Sequence, residues 1–462
     1  DYVSISSMAD ALAQMRGCYE GVVKIRGAAR AFIQRAVYGG RVMLAHNKKQ
    51  IFGGAGDGSS SELEAYLKDP VDPKYRVVPD QLCIDDMDAV SLYPSAMALM
   101  GGVPKGVAKV LTKEQIASLQ QNPNQYDDYY LEVEVLSPGE CLAFPVVPFR
   151  KKDGVDYNLG QTETYFTPFK LVLSKVSILD ALAFQGVQLR FIRGLYFNEG
   201  MNDGICRLAH ELYVLRNKLK KEGNPLQNIV KLLMNSMYGK TIMKECTTKT
   251  KIIRGTEELT RFLARHADEV AAINSAPDDP EFYVLTMRQS ISDHWTRPQA
   301  GARILAYSKH IMFRLFHIAE KNGLQIFYQD TDSLQGPRSD IRKLASCMEA
   351  ALESGELSRL ELPPMTDDAA IERLRPDIRD VVQKGFRVEK FEGSMLGQFH
   401  SDFEIGGVES VRDVPIVGAG AVYVGKKSYC VRLRSLYMGD DGREHVKIAH
   451  HCRMKGVPGY AI

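Results

Sequence analysis

Two carboxylates stand two residues apart in the run Phe327 to Ser333, FYQDTDS. On an extended backbone Asp330 and Asp332 project to the same side. Carboxylates exposed where a strand turns are good ligands for a hard divalent cation. A third, Asp88, ends another apolar run in DAVSLYPS, Asp88 to Ser95, just before a tight turn and a helix N-terminus. Amides in such a turn can cradle phosphate oxygens. Asp88 and Asp332, brought together from two strands, could bracket one or two Mg2+ ions. A metal pair ~3.5–4 Å apart serves phosphoryl transfer by stabilising both the attacking and the leaving oxygen. In KLLMNSMYG, Lys231 to Gly239, the residues Lys231, Asn235 and Tyr238 fall at i, i+4 and i+7, with Val230, Leu233 and Met237 on the opposite face. A cation, an amide and a ring on one face suit a triphosphate and a base or sugar. Taken singly, each segment has a plainer reading: an aspartate-rich polar turn, a strand-to-helix turn with a buried tyrosine, and a solvated lysine on an amphipathic helix.

These residues need elements to hold them. Residues 82–90 read as a strand, with Asp85 and Asp86 as its polar end. Pro94 stands near the start of a short helix at 95–100, which Gly101-Gly102 closes. Residues 205–221 and 226–238 read as two helices joined at Glu222-Gly223-Asn224-Pro225, a hairpin with a basic tip that stops near Gly239. Residues 302–322 form a third helix, with Ile304, Leu305, Met312, Leu315, Phe316 and Ala319 at helical spacing and Gly323 as its stop. Residues 324–329 then read as a strand leading into Asp330, and 333–335 as its return.

The 462 residues suggest about three domains. With 45% apolar and 25% charged residues the composition is globular, and no apolar run reaches the ~18 residues of a membrane span. The start, Asp1-Tyr2-Val3-Ser4, carries no secretory signal pattern. Eight cysteines are scattered without a CxxC pair, which argues against a disulfide framework or a cysteine zinc site and for an intracellular, reducing compartment, cytoplasm or nucleus unresolved. The net charge of +2 hides its distribution. Arg216 to Arg254 holds ten basic and two acidic residues, and Lys426 to Lys455 holds eight and three. Residues 255–287 between them hold two and seven. Such alternation is compatible with an anionic partner gripped at defined places.

Taken together and in order, DxxSLYPS, KxxxNSxYG and YxDTDS resemble motifs A, B and C of the family B DNA polymerases. Lys426-Lys427-Ser428-Tyr429 looks like the family's KxY element, Leu396-Gly397-Gln398-Phe399 like its LGxF/W segment, and Val37-Tyr38-Gly39-Gly40 like its YxGG linker, with the leading tyrosine displaced. Arg303 matches the arginine of a template-binding element whose threonine is Gln299 here. The resemblance covers about residues 37–458. The long interval between Tyr238 and Asp330 resembles the protein-primed branch of viruses, phages and linear plasmids.

The resemblance implies an α+β right-hand polymerase fold with an antiparallel-sheet palm, helical-hairpin fingers and terminal-protein-region insertions, the exonuclease domain absent and the thumb absent or truncated. The expected segments are 1–36, tail of a linker from a missing exonuclease domain; 37–104, palm with motif A; 105–200, a first terminal-protein-like region; 201–244, fingers with motif B; 245–292, a second terminal-protein-like insertion; 293–440, palm with motif C and KxY; and 441–462, start of the thumb. Asp88 and Asp332 resemble the catalytic, metal-binding pair for two Mg2+ ions, or Mn2+ in their place, with Asp330 in support. Ser91, Leu92, Tyr93, Lys231, Asn235 and Tyr238 would meet the deoxynucleotide, helped by one of Lys218, Lys220 or Lys221, and Tyr93 would exclude a ribose 2′-hydroxyl. Tyr38, Gly39, Gly40, Gly239, Arg303, Thr331, Ser333, Lys426, Lys427 and Tyr429 would meet DNA. The implied partners are a DNA primer-template, deoxynucleoside triphosphates and a terminal priming protein, and no membrane. A silent nucleic-acid-binding scaffold is the alternative, but Asp88, Asp330 and Asp332 would be the first residues such a scaffold loses. A reverse transcriptase usually has adjacent aspartates and no KxxxNSxYG helix. Glu62-Leu63-Glu64 mimics an exonuclease motif yet lies beyond the linker. His445, His450, His451 and Cys452 fit no zinc spacing and read as a basic surface segment.

Overall fold

The computed structural model describes all residues except 1–3, 54–59, 152–153, 158–165, 244–247, 289–295, 361, 363–367, 386–392, 408 and 455–462. The ends of the expected 245–292 insertion and residues 455–462 therefore lie outside the described residues.

Motif A is the strand Ile84–Ala89, and it lies inside a nine-stranded sheet. On one side run Ser333–Pro337, Tyr328–Asp330 and Val42–Leu44, and on the other Val417–Gly425, Ser428–Met438 and Glu444–Met454. Phe399–Ser401 also pairs with motif A, and Gln50–Phe52 pairs with Val417–Gly425. All these pairings are antiparallel. Asp85 and Asp86 sit mid-strand and are buried, which corrects the expected polar strand end. Arg338 lies 3.4 Å from Asp85, and Gln335 Nε2 donates to Asp86 at 2.7 Å.

The helix Pro298–Lys321 crosses the centre of the molecule and is buried along almost its whole length. It begins four residues before the expected start, because Pro298 at the first helical position is pre-set for the turn. Gly323, with φ 63°, ends it as expected. Its Ile304, Ile311 and Leu315 share one core with Met87 of motif A, with Leu92 and Met97 of the helix Leu92–Leu99, and with Ile205, Leu208 and Met234 of the helical hairpin. The hairpin helices are Gly204–Lys221 and Leu226–Thr241. The second runs through Gly239, because Thr241 is buried and continues the apolar face of Val230, Met234 and Met237.

Residues 4–36 were expected as part of a linker tail. They form the helices Ile5–Met15 and Gly27–Gln34, with Ala9, Ala13 and Cys18 in the main core. Residues 105–200 carry a four-stranded sheet, ordered Lys109–Val110, Gln188–Phe197, Asp128–Ser137, Phe169–Ser174, over a core of Leu119, Tyr129, Leu131 and Ile178. Residues 248–288 form a separate three-stranded sheet, ordered Thr248–Arg254, Asp279–Arg288, Val270–Ala276, closed by the helix Thr256–His266. The expected 293–440 palm is interrupted by helices Arg338–Glu353, Asp368–Glu372 and Pro376–Gly385. Residues 444–454, expected to start a thumb, pair along their length with Ser428–Met438 and extend the sheet. There Cys430 faces Cys452 in a disulfide. Among the described residues no helix is long and apolar enough to cross a membrane.

The 248–288 unit has its own small core of Ile253, Leu259, Leu285 and Met287. Leu285→Ala is expected to cost that unit about 2–5 kcal/mol while leaving the central sheet intact. Hydrogen exchange should rise within 248–288 and stay unchanged in Ile84–Ala89. Equal loss of protection in both would show that the unit is not separately stabilised.

Candidate active site

Strand register gathers the carboxylates. Asp88 lies opposite Ser333 on one neighbour and opposite His400 on the other. The Ala89 N–H donates to the Asp332 carbonyl at 2.8 Å, which ties motif A to motif C through the backbone. Thr331, at the tip of the motif C turn, takes a left-handed φ of 66°. Its N–H donates to the Arg41 carbonyl at 2.9 Å. A Cβ on Gly40 would come within 2.4 Å of the Thr331 methyl, so only glycine admits the turn here.

Behind the turn, Arg41 is fully buried. Its guanidinium lies 4.6–5.3 Å from the ring centres of Phe144, Phe313 and Phe316. It donates to the Gln329 side chain and to the carbonyls of Phe144 and Pro145. Burial lowers its pKa to about 9. The other turn, after motif A, is anchored by the segment Leu396 to Phe399. The Val90 N–H donates to the Gln398 carbonyl at 2.8 Å, and Ser95 Oγ donates to Val90 and accepts from the Gly397 N–H.

A cleft of about 1210 Å³ opens in front of both turns. Asp88, Ser91, Leu92, Tyr93, Lys231, Asn235, Tyr238 and Asp332 line it, together with all three alternatives Lys218, Lys220 and Lys221. The rings of Tyr93 and Tyr238 stack on each other, with centroids 4.3 Å apart. Burial, and then the neighbouring Asp332, Asp402 and Asp86, push the Asp88 carboxyl up to about 8 against the pull of Lys231. Burial raises Asp332 as well, and it takes Asp86 to about 7. Carboxyls this crowded and dry favour a bound cation, and oxygen donors suit a hard one.

Among the lining residues that the sequence reading did not place in the site are Arg216, His400 and Asp402. Arg216 Nη1 donates to Ser91 Oγ at 3.3 Å, and His400 and Asp402 stand beside Asp88. Asp330 does not turn to the cleft. It accepts from Lys427 Nζ at 2.7 and 3.0 Å, with Arg453 3.7 Å away. Lys426 pairs with Asp156 at 2.9 Å.

Several residues expected to meet DNA are otherwise engaged. Tyr38 is 2% exposed, its ring in the core of the 105–200 sheet. Arg303 is buried, donating to the carbonyls of Met100 and Gly102 and lying 3.3 Å from Asp128. Tyr429 is 5% exposed, among Tyr328, Tyr423 and His451. Packing claims all three. Gly39 is exposed, while Gly40, Thr331 and Ser333 are half-buried along the motif C turn and Gly239 is half-buried within its helix.

The sheet, the hairpin helices and the cleft between them make an α+β polymerase fold. The family described as DNA polymerase type B, organellar and viral, matches residues 84–312. A DNA polymerase of Kluyveromyces lactis is 22% identical over 291 residues, which are 61% of this chain and 27% of that protein. The solved Phi29 DNA polymerase with primer-template DNA matches with TM-score 0.55 at 13% identity, covering 100% of this chain and 61% of that one. The same polymerase with primer-template DNA and incoming nucleotides matches with TM-score 0.52 at 13% identity and 61% coverage. Residues 84–312 are thus similar to the DNA polymerases of type B, organellar and viral, and the chain spans 27% of the curated relative's length.

Two predictions follow from the site's electrostatics and its support. Cation loading must displace a proton from Asp88 while that carboxyl titrates near 8. Divalent-cation affinity should therefore strengthen from about pH 6 to about pH 8.5, by up to tenfold per unit, and then level off. Calorimetry across that range would read it, and a flat affinity would mean that Asp88 is already ionised. For the support, Arg41→Met or Gln329→Leu alone strands a buried partner and should cost about 1–3 kcal/mol or more. The double change should cost less than the sum. Strictly additive losses in denaturant unfolding would show that the pair does not couple.

Proposed function

We propose that this chain carries the nucleotide-adding core of a DNA-directed DNA polymerase, extending a primer 3′-hydroxyl on a DNA template, in a replication system started from a terminal protein. The observation that carries the reading is the convergence of Asp88, Asp332 and Lys231 on one cleft, from two strand ends and a fingers helix. Asp88 and Asp332 would hold divalent cations, Mg2+ in the first instance. Bound there, the cations supply Lewis-acid charge to the attacking and leaving oxygens.

The chain's own residues do the positioning. Lys231 with Lys218, Lys220, Lys221 and Arg216 offers cationic charge to the triphosphate, and the Ser91–Leu92 turn offers backbone amides. Tyr93 would meet an arriving 2′-hydroxyl, and Tyr238, stacked on it, supports that ring. Asn235 would face the nascent pair. Lys427 joins the KxY hairpin to Asp330, so it orients the motif C turn as well as facing the primer strand. The 105–200 and 248–288 units are read as the two terminal-protein regions. Their separate sheets support that reading.

Asp88→Asn or Asp332→Asn should lower nucleotide addition by about 10³-fold or more, as removal of preorganised charge does, while primer-template binding persists. Primer extension and gel-shift titration read the two separately, and either variant within tenfold of wild type would sink the assignment. Tyr93→Val should raise ribonucleotide incorporation relative to deoxyribonucleotide. An unchanged ratio would remove Tyr93 as the gate.

A further inference from the structure

The strand Phe399–Ser401 brings a nitrogen donor into a site otherwise built of oxygens. His400 lies directly across from Asp88. Two residues on, the Asp402 N–H donates to the Asp86 carbonyl at 3.1 Å, which keeps Asp402 on the same edge. One donor atom from each of Asp88, His400 and Asp402 lies within 4.8 Å of the other two. The imidazole makes no hydrogen bond that explains its position. Its Nε2 is 3.9 Å from the Asp402 carboxylate, beyond hydrogen-bond range, and its Nδ1, the covered nitrogen of a side chain 44% exposed, has no hydrogen-bond partner among the described residues. A buried polar atom without a partner is rare and calls for an explanation. A cation seated among the three would take one imidazole nitrogen as a ligand and relieve the mutual repulsion of the two carboxylates.

We propose that His400 is a metal ligand, and that Asp88, His400 and Asp402 together hold one divalent cation through one imidazole nitrogen and two carboxylate oxygens. The inference rests on the reading of this cleft as a cation-dependent polymerase centre, and it names which ion the centre prefers. Mg2+ takes near-octahedral oxygen coordination and keeps several of its waters. Imidazole donors instead favour first-row transition ions. A mixed donor set therefore shifts selectivity from Mg2+ toward Mn2+, whereas the aspartate of the other strand end, Asp332, remains available to a second, all-oxygen cation. The competing role for an imidazole at the lip of this cleft is to donate a hydrogen bond to a nucleotide phosphate.

The whole chain, free of DNA and nucleotide, is titrated with Mn2+, and free ion is followed by electron paramagnetic resonance. Pulsed measurements on the bound ion then look for coupling to a directly bound imidazole nitrogen. Wild type should show that coupling. His400→Gln should lose it and bind Mn2+ at least about tenfold more weakly, since even outer-shell partners of a metal contribute about 10–100-fold. Mg2+ affinity, read by competition, should change less than Mn2+ affinity. Asp402→Asn should weaken Mn2+ binding while keeping the nitrogen coupling. The wild-type spectrum decides even where a variant folds poorly: without nitrogen coupling the proposal fails. It also fails where His400→Gln keeps the coupling, or keeps wild-type Mn2+ affinity and shows only a raised KM for deoxynucleotide, which would make His400 a phosphate contact. Primer extension run alongside separates this outcome from the polymerase reading. A chain that binds Mn2+ through nitrogen but adds no nucleotide overturns the function and leaves the site. One that extends primers without nitrogen coupling does the reverse.

Discussion

The antiparallel register of Ile84–Ala89 between its two neighbours is the constraint on which the site depends. Side chains alternate along a strand, so a slip of one residue would turn Asp88 to the opposite face and bring Met87 or Ala89 forward. Both neighbours hold it in place. Ser333 meets Asp88 from one side and His400 from the other, and the bond from Ala89 to the Asp332 carbonyl sets the depth of the motif C turn. Burial of Met87 and Ala89 on the opposite face makes the register costly to change, because a slip would send Asp88 into the core and apolar atoms into the cleft.

That register also concentrates negative charge, and the chain answers it with cations on every side. Lys231 approaches Asp88 from the helix Leu226–Thr241, whereas Lys427 and Arg453 close on Asp330 from the strand hairpin around 425–454. The division is asymmetric. Asp330 is paired within the protein, whereas Asp88 and Asp332 face the cleft with their carboxyls raised by burial and by neighbouring carboxylates, Asp332 beside Asp88 and Asp330 beside Asp332. The first aspartate of the DTD turn thus serves the turn, and the second is left for a ligand.

The motifs were legible because their chemistry restricts residue type: carboxylates at strand ends, a lysine, an asparagine and a tyrosine on one helix face. The hairpin and the central helix were legible from apolar spacing. What the sequence hid was burial. Arg303 and Tyr38 sit in segments that resemble DNA-contacting elements, yet a string of residues does not reveal that Asp128 waits opposite one or that the other points into a neighbouring core. Asp85 and Asp86 looked like a solvated end because nothing local announces Arg338 or Gln335. His400 and Asp402 had a signal that was overlooked. They are spaced by two just after Leu396 to Phe399, the spacing that drew attention to Asp330 and Asp332. The helix Arg338–Glu353 was likewise visible in Ile341, Leu344, Met348 and Ala351.

The buried polar residues of Pro298–Lys321 explain how the 105–200 unit is held to the central sheet. Arg303 reaches Asp128 of that unit, His310 pairs with Asp180 at 2.6 Å, and Tyr130 donates to the Gln299 carbonyl at 2.9 Å. Lys309, its pKa lowered by burial to about 7, donates to the Tyr38 carbonyl at 2.7 Å, two residues ahead of Gly40, which packs on the motif C turn. An apolar interface would tolerate sliding, because contact area is non-directional. Paired groups in a dry interior tolerate little, because losing one partner leaves a buried charge uncompensated, at roughly 3–5 kcal/mol. The same helix that roofs the core therefore fixes where the added unit sits. Through Tyr38 and Arg41 that placement is connected to the turn between Asp330 and Asp332.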